Sequence, residues 1–283
     1  MSIKNQRNQL QPPPLPPRAL RELVGPLEDH SYDNPTGELV FPEIPSSCYK
    51  SVFDFGCGCG RIARQLIQQQ ECPSRYVGVD LHRGAIRWCR RNLSPVARSF
   101  EFHHQNIRNL GLNPRGKSEK VPFPVGDNSI LLFVAWSVFT HLTEDVASFY
   151  FSELARVLHP NGIAITTWFL FDKSEFPMMQ QFKNALYIDY IDPTSAVIFD
   201  KDWLKRSATQ NGLVINQVIP PEIRGLQWKV YFTKATPGRR HAEIPEDRAP
   251  LGIYRPPVTP DSKGLRSILH RISARALRSG YMR

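Results

Sequence analysis

No apolar run in this chain of 283 residues approaches the roughly 18 residues that a helix needs to cross a membrane. The longest, Ile130–Phe139, is interrupted by Ser137 and reads as a strand buried on both faces. No secretory leader is expected either. The first residues, Met-Ser-Ile-Lys-Asn-Gln, contain no apolar stretch, so the expected location is the cytoplasm. Cysteine is scarce and shows no ligand pattern: Cys48, Cys57, Cys59, Cys72 and Cys89 are five in number and include no Cys-x-x-Cys pair. Cys57 and Cys59 lie inside a tight glycine loop with no second ligand pair nearby, so reduced, structural thiols are expected and no metal. The sequence has no internal repeat, and residues 262–283 contain no acid at all.

Charge is plentiful but uneven. The net charge is +10, with 41% hydrophobic and 22% charged residues, a balance that suits a globular protein with a sizeable core. Residues 1–45 carry four Lys/Arg against six Asp/Glu, while residues 235–283 carry ten against four. Residues 1–45 also hold the run Pro12-Pro13-Pro14-Leu15-Pro16-Pro17 and a short helical pattern at Arg18–Val24. They read as an extended arm, either packed on the body or offered as a Pro-x-x-Pro ligand. Residues 46–234 are the body. Residues 235–283 form a Pro/Arg-rich tail whose last part, Ser262–Arg278, has an amphipathic helical pattern. Leu265, Ile268, Leu269, Ile272 and Ala276 share one face, and Lys263, Arg266, Arg271, Arg275 and Arg278 surround the other. Such a helix suits a membrane surface or a protein partner, which would make the protein membrane-peripheral; it can equally pack on its own domain.

In the body, strand and helix patterns alternate. Strands are expected at Ser51–Phe55, Arg75–Val79, Phe100–His103, Ile130–Ala135, Ile163–Trp168, Leu213–Ile219 and Trp228–Thr233. Helices are expected at Cys59–Gln69, Gly84–Asn92, after a capping Thr143, and near Asp202–Thr209. This alternation predicts a doubly wound α/β fold, a seven-stranded and mostly parallel sheet covered by helices on both faces.

The first strand runs into Asp54-Phe55-Gly56-Cys57-Gly58-Cys59-Gly60, a turn that lets backbone approach a ligand closely. Gly58-x-Gly60-x-x-Ala63 also satisfies a dinucleotide fingerprint, so an NAD(P)-dependent oxidoreductase is the competing reading. Asp54 discriminates between them. A carboxylate so close would repel a pyrophosphate, whereas S-adenosylmethionine has no phosphate and carries an ammonium and a sulfonium. The helix start suits its carboxylate. Asp80, twenty residues past Gly60 at the end of the second strand, stands where a carboxylate accepts ribose hydroxyls, although a helix cap is its alternative use.

At these residues the chain resembles the class I (Rossmann-like) methyltransferases, matching Asp-x-Gly-x-Gly-x-Gly without a gap. The resemblance spans about residues 50–234. It continues through Val121–Pro124, Asp127–Ser129, Trp136-Ser137-Val138-Phe139-Thr140-His141-Leu142 and Glu153–Gly162. It is strongest to bacterial small-molecule and glycan-associated methyltransferases with a Ser-Val-Phe-Thr-His-Leu segment and an Asn-Pro-Arg-Gly turn, here Asn113–Gly116. The resemblance implies cofactor contacts from Asp54, Gly56, Cys57, Gly58, Gly60 and Arg61 in the loop. Asp80 and Leu81 would follow from the second strand, Asn106 and Ile107 from the third, and Trp136 and Ser137 from the fourth. Two positions depart from the family pattern. The third strand ends in His104-Gln105-Asn106-Ile107 where Asp is common, and Ser129–Leu132 replaces a Phe-Asp pair.

The expected reaction is methyl transfer to oxygen or nitrogen of a small-molecule or sugar acceptor. A hydroxyl acceptor profits from a general base, for which His141 is the candidate; ordering its own loop is the alternative. Phe169–Tyr190, rich in Phe, Met and Tyr, would line or lid the acceptor site or belong to the core. A scaffold that docks a membrane or partner through its basic tail is a third reading. Nucleic acid is disfavoured, because no Asn/Asp-Pro-Pro-Tyr segment follows the fourth strand and the tail lacks interleaved aromatics.

Overall fold

Runs of β-branched and aromatic residues closed by polar turns favour strands, and they set the frame here. The computed structural model describes residues 12–250 except 177, 179–182 and 190. Five strands form the centre of its parallel part: β1 (Ser51–Phe55), β2 (Arg75–Asp80), β3 (Phe100–His104), β4 (Ile130–Ala135) and β5 (Leu158–Phe171). Their order is β3-β2-β1-β4-β5. A short hairpin, β6 (Ala185–Tyr187) and β7 (Val197–Asp200), then joins the end of β5 through a parallel β5–β7 pairing. Finally β8 (Leu213–Ile219) and β9 (Trp228–Lys234) close the other side, with β9 antiparallel between β5 and β8.

All seven strands expected from the sequence are present in a mostly parallel sheet, as a doubly wound fold requires. Two features differ. The strand expected at Ile163–Trp168 extends over Leu158–Phe171, and its added carboxyl-terminal residues are the ones that pair with β7. Its start passes through Pro160 and Asn161 with a register shift against β4, an irregularity within the strand.

Strand residues alternate between two cores. Val52, Leu132 and Val134 pack with Ile62, Ala63 and Leu66 of α2 (Arg61–Gln68) and Ile86 and Cys89 of α3 (Arg83–Asn92). Phe53, Phe133 and Ala135 face the other way, toward α4 (Glu144–Val157) and α5 (Lys201–Gln210). A sheet covered on both faces produces the near-continuous apolar runs seen in the sequence. Thr143 occupies the position before α4 but does not cap it. Its hydroxyl donates to Asp145 at 2.7 Å instead, and Glu144 and Asp145 meet the helix dipole.

The N-terminal arm, including α1 (Arg18–Val24), lies against α2. Arg64 of α2 is buried and donates to the carbonyls of Pro13 (2.8 Å), Pro14 (3.2 Å) and Tyr32 (2.8 Å) and to the Asp33 carboxylate. Phe41 and Ile44 enter the core beside α2. At the opposite end, Ala242 donates to the Ile215 carbonyl at 2.8 Å and Lys201 to the Pro245 carbonyl at 2.9 Å, so the segment after β9 folds back over β8. The helical pattern at Ser262–Arg278 lies outside the described residues. Among those described, no helix is long and apolar enough to cross a membrane.

Candidate functional site

From β1 the chain moves outward to β2 and β3, and later returns to β4 on the other side of β1. A crevice opens at such a reversal, at the carboxyl ends of the strands. Gly56, Gly58 and Gly60 all hold left-handed backbone there, with φ of 78°, 54° and 82°. At Gly56 the need is steric as well, since a Cβ would stand 2.4 Å from Val138 Cγ2. The loop is held from behind: the amides of Gly56 and Cys57 donate to the Val79 carbonyl (2.8 and 3.0 Å), and Gly60 donates to Cys57 (2.9 Å).

Asp80 closes the loop and faces the crevice. Its Oδ2 accepts from the Gly58 amide at 2.9 Å and its Oδ1 from the His82 amide at 2.6 Å. Burial pushes its carboxyl upward, and those two amides oppose the shift. Cap and ligand duties, alternatives in the sequence, are divided here: His82 Nδ1 caps α3 by accepting from Ala85 at 3.0 Å, which leaves Asp80 on the wall of a cavity of 1120 Å³.

Six segments build that cavity. The glycine loop and β2 contribute Gly56, Arg61, Asp80 and Leu81. Ile107, Arg108, Asn109 and Leu112 follow β3, and Trp136–Val138 and His141–Thr143 follow β4. The arm adds Leu23–Pro26 and Ser31, and the turn before β7 adds Asp192, Thr194 and Ser195. Ser137 holds a left-handed φ of 57°, uncommon for a residue with a side chain. Its amide donates to Thr167 Oγ1 (2.7 Å) and its hydroxyl to Gln227 Oε1 (3.0 Å), which keeps it there.

His141 meets the Thr194 carbonyl through Nδ1 at 2.9 Å. A carbonyl only accepts, so Nδ1 carries the proton and Nε2 of the neutral ring keeps its lone pair. Thr194 is itself held: its hydroxyl donates to Asp192 at 2.6 Å and accepts from Asn109 at 3.1 Å.

Of the residues expected to meet the cofactor, Gly56, Arg61, Asp80, Leu81, Ile107, Trp136 and Ser137 share this wall, and His141 joins them. Asp54, Cys57, Gly58, Gly60 and Asn106 lie off it. Asp54 is 1% exposed and accepts the Tyr76 hydroxyl at 2.7 Å. Burial pushes its carboxyl up to about 7; the Tyr76 bond and the Arg61 charge pull it down, and Asp80 pushes it up. Cys57 is buried beneath the loop, its thiol raised well above the ordinary range by burial. Gly58 packs against Val24 of the arm, and Gly60 against Leu93 and Cys89. The Asn106 side chain accepts from Asn113 at 3.2 Å, turned away from the wall formed by its neighbour Ile107. His104 donates to the Leu81 carbonyl at 3.0 Å and His103 pairs with Glu101, so neither histidine lines the cavity. Phe169–Tyr190 supplies strands, with no described residue on the wall; the lining begins just beyond it, at Asp192. Leu23–Pro26 and Asp192–Ser195 were not expected, and only Gly25-Pro26 and Asp192-Pro193 mark them locally as turns.

Residues 52–162 match the family model described as a methyltransferase domain, a family whose methyl donor is S-adenosylmethionine. Among solved structures, a methyltransferase from Methanosarcina mazei is 22% identical, over 65% of this chain and 92% of that one, with a TM-score of 0.41. The magnesium protoporphyrin IX methyltransferase from Synechocystis is 13% identical over 65% and 70%, with a TM-score of 0.42. An O-methyltransferase of neocarzinostatin biosynthesis is 14% identical over 68% of this chain, with a TM-score of 0.46; the match spans 50% of that protein's length.

Proposed function

We propose that this S-adenosylmethionine-dependent methyltransferase, which matches the family model over residues 52–162, methylates oxygen or nitrogen of a small-molecule or sugar acceptor. One observation carries the reading: a single cavity of 1120 Å³ joins Asp80, at the end of β2, to His141 and Thr194 beyond β4. Ordinary ligand sites occupy roughly 300–1,000 Å³, so the space suits a nucleoside cofactor together with a second small ligand.

The residues on the wall fit the cofactor. Gly56 carries no Cβ where Val138 and the cavity meet, and Asp80 offers carboxylate oxygens to a ribose diol. S-adenosylmethionine supplies an activated methyl group on a cationic sulfur. The chain's own task is therefore largely positioning, which can remove about 7–11 kcal/mol of a barrier. Trp136 and the strained Ser137 shape the wall after β4, between the cofactor end and the acceptor end. At the acceptor end His141 Nε2 takes the proton from an acceptor hydroxyl, while Nδ1 stays bonded to the Thr194 carbonyl and steadies the imidazolium that results. Thr143, Thr194 and Ser195 hydroxyls and the Asp145 and Asp192 carboxylates border the same space, a lining suited to a hydroxylated molecule.

Isothermal titration with S-adenosylhomocysteine tests the cofactor site. The wild type should bind, and Asp80→Asn should bind about 10- to 150-fold more weakly, the worth of a hydrogen bond to a charged acceptor. No binding by the wild type at millimolar ligand would sink the reading. Transfer of a labelled methyl group should then mark hydroxylated small molecules or monosaccharides. Label found only in RNA or protein would remove the acceptor class.

A further inference from the structure

A second, smaller pocket of 340 Å³ adjoins the cavity and shares Arg61 and Trp136 with it. Two cations converge on the Trp136 indole there. The Arg61 guanidinium lies 5.7 Å from the ring centre and the Lys229 ammonium 5.6 Å, while Phe41 stacks on the same ring at 6.0 Å. Among the described residues, neither cation has a carboxylate within ion-pair distance. Glu43 also lines this pocket, its carboxylate accepting from the Tyr231 hydroxyl, and the Asp54 charge acts on Arg61 from further off, so two cations face partial counter-charge and an indole face offsets only part of their cost.

The sheet order gives the pocket its direction. Asp80 sits at β2, so a ligand whose ribose rests there extends over β1 toward β4, where Trp136 stands. Lys229 belongs to β9 and pairs with Thr167 of β5, one strand further along the same line. The glycine loop cannot easily hold an anion, because the amides of Gly56, Cys57, Gly58 and Gly60 are already bonded within the protein. Arg61 is also the first residue of α2, whose N-terminal end favours negative charge.

We propose that Arg61, Lys229 and the face of Trp136 form the seat for the carboxylate at the amino-acid end of the cofactor. The proposal rests on the function proposed above, and it adds a residue of β9 to the cofactor site.

The test compares two nucleosides on the full chain by isothermal titration: S-adenosylhomocysteine, and methylthioadenosine, which shares the nucleoside and thioether but lacks the amino-acid end. Lys229→Gln should weaken S-adenosylhomocysteine about tenfold, the lower end for a hydrogen bond to a charged group, and leave methylthioadenosine unchanged. Lys229→Arg should retain most of the wild-type affinity for both. Equal weakening of the two ligands, or no change in either, overturns the seat. If the wild type binds neither nucleoside, the methyltransferase reading itself fails, and the two failures are thereby told apart.

Discussion

The carbonyl of Thr194 decides which nitrogen of His141 carries a proton, and so which nitrogen can accept one. That contact joins two residues 53 positions apart, through a turn whose sequence carries no sign of it. His141→Ala should therefore lower turnover of a hydroxyl acceptor by about 10²- to 10⁴-fold while S-adenosylhomocysteine affinity holds, as labelled methyl transfer and titration would measure. A rate close to wild type would leave His141 as a clasp for the 192–195 turn. Residue types in the loop were legible, but their division of labour was not. Asp54 and Asp80 both end strands and both looked like ligand carboxylates. The pleat separates them: Asp54 lies one residue from Phe53, on the side where Tyr76 waits, whereas Asp80 lies past the strand's packed stretch. Spacing cannot specify that difference, since it depends on which neighbouring strand supplies the hydroxyl.

Elements were read more easily than residues. Each of the seven main strands followed from apolar runs of adequate length, and α2 to α5 from their periodicity. The β6–β7 hairpin escaped because Ala185–Tyr187 is three residues long and Val197–Asp200 four, too short for alternation to show. The arm was legible as an arm but not as part of a wall. Its attachment depends on Arg64, a charged residue whose burial nothing in the local sequence marks. With four acceptors around a buried guanidinium, Arg64→Ala leaves the Pro13 and Pro14 carbonyls and the Asp33 carboxylate without their partner, and the Tyr32 carbonyl with Gln68 alone at 3.4 Å. Amide exchange over residues 18–33 should accelerate by at least about tenfold, and S-adenosylhomocysteine should bind more weakly, because Leu23–Pro26 and Ser31 border its cavity. Unchanged exchange would mean that Phe41, Ile44 and the packing of Val24 on Gly58 hold the arm without Arg64.

At the scale of the whole molecule, the crevice concentrates buried acid at the centre of a sheet closed on both faces, and that has a consequence for stability. The Asp54 carboxyl is pushed from its ordinary 3.8 up to about 7, by burial before anything else. Asp80, also raised by burial, acts in the same direction. Between pH 4 and pH 7 the folded protein keeps a proton that the unfolded chain has released. Folding stability from this source is thus greatest at the acidic end, falls as pH rises through that window, and levels off above pH 7. Asp54→Asn keeps an oxygen to accept the Tyr76 hydroxyl and removes the charge. The variant should be more stable than wild type at pH 8 by on the order of 2 kcal/mol, with the difference shrinking toward pH 4. Urea unfolding midpoints at pH 5, 6, 7 and 8 measure this directly. A variant less stable than wild type at pH 8 would show that the ionised Asp54–Tyr76 bond outweighs the cost of burying the charge. The fold would then be holding the carboxylate as an anion, through its Tyr76 bond and the nearby Arg61 charge.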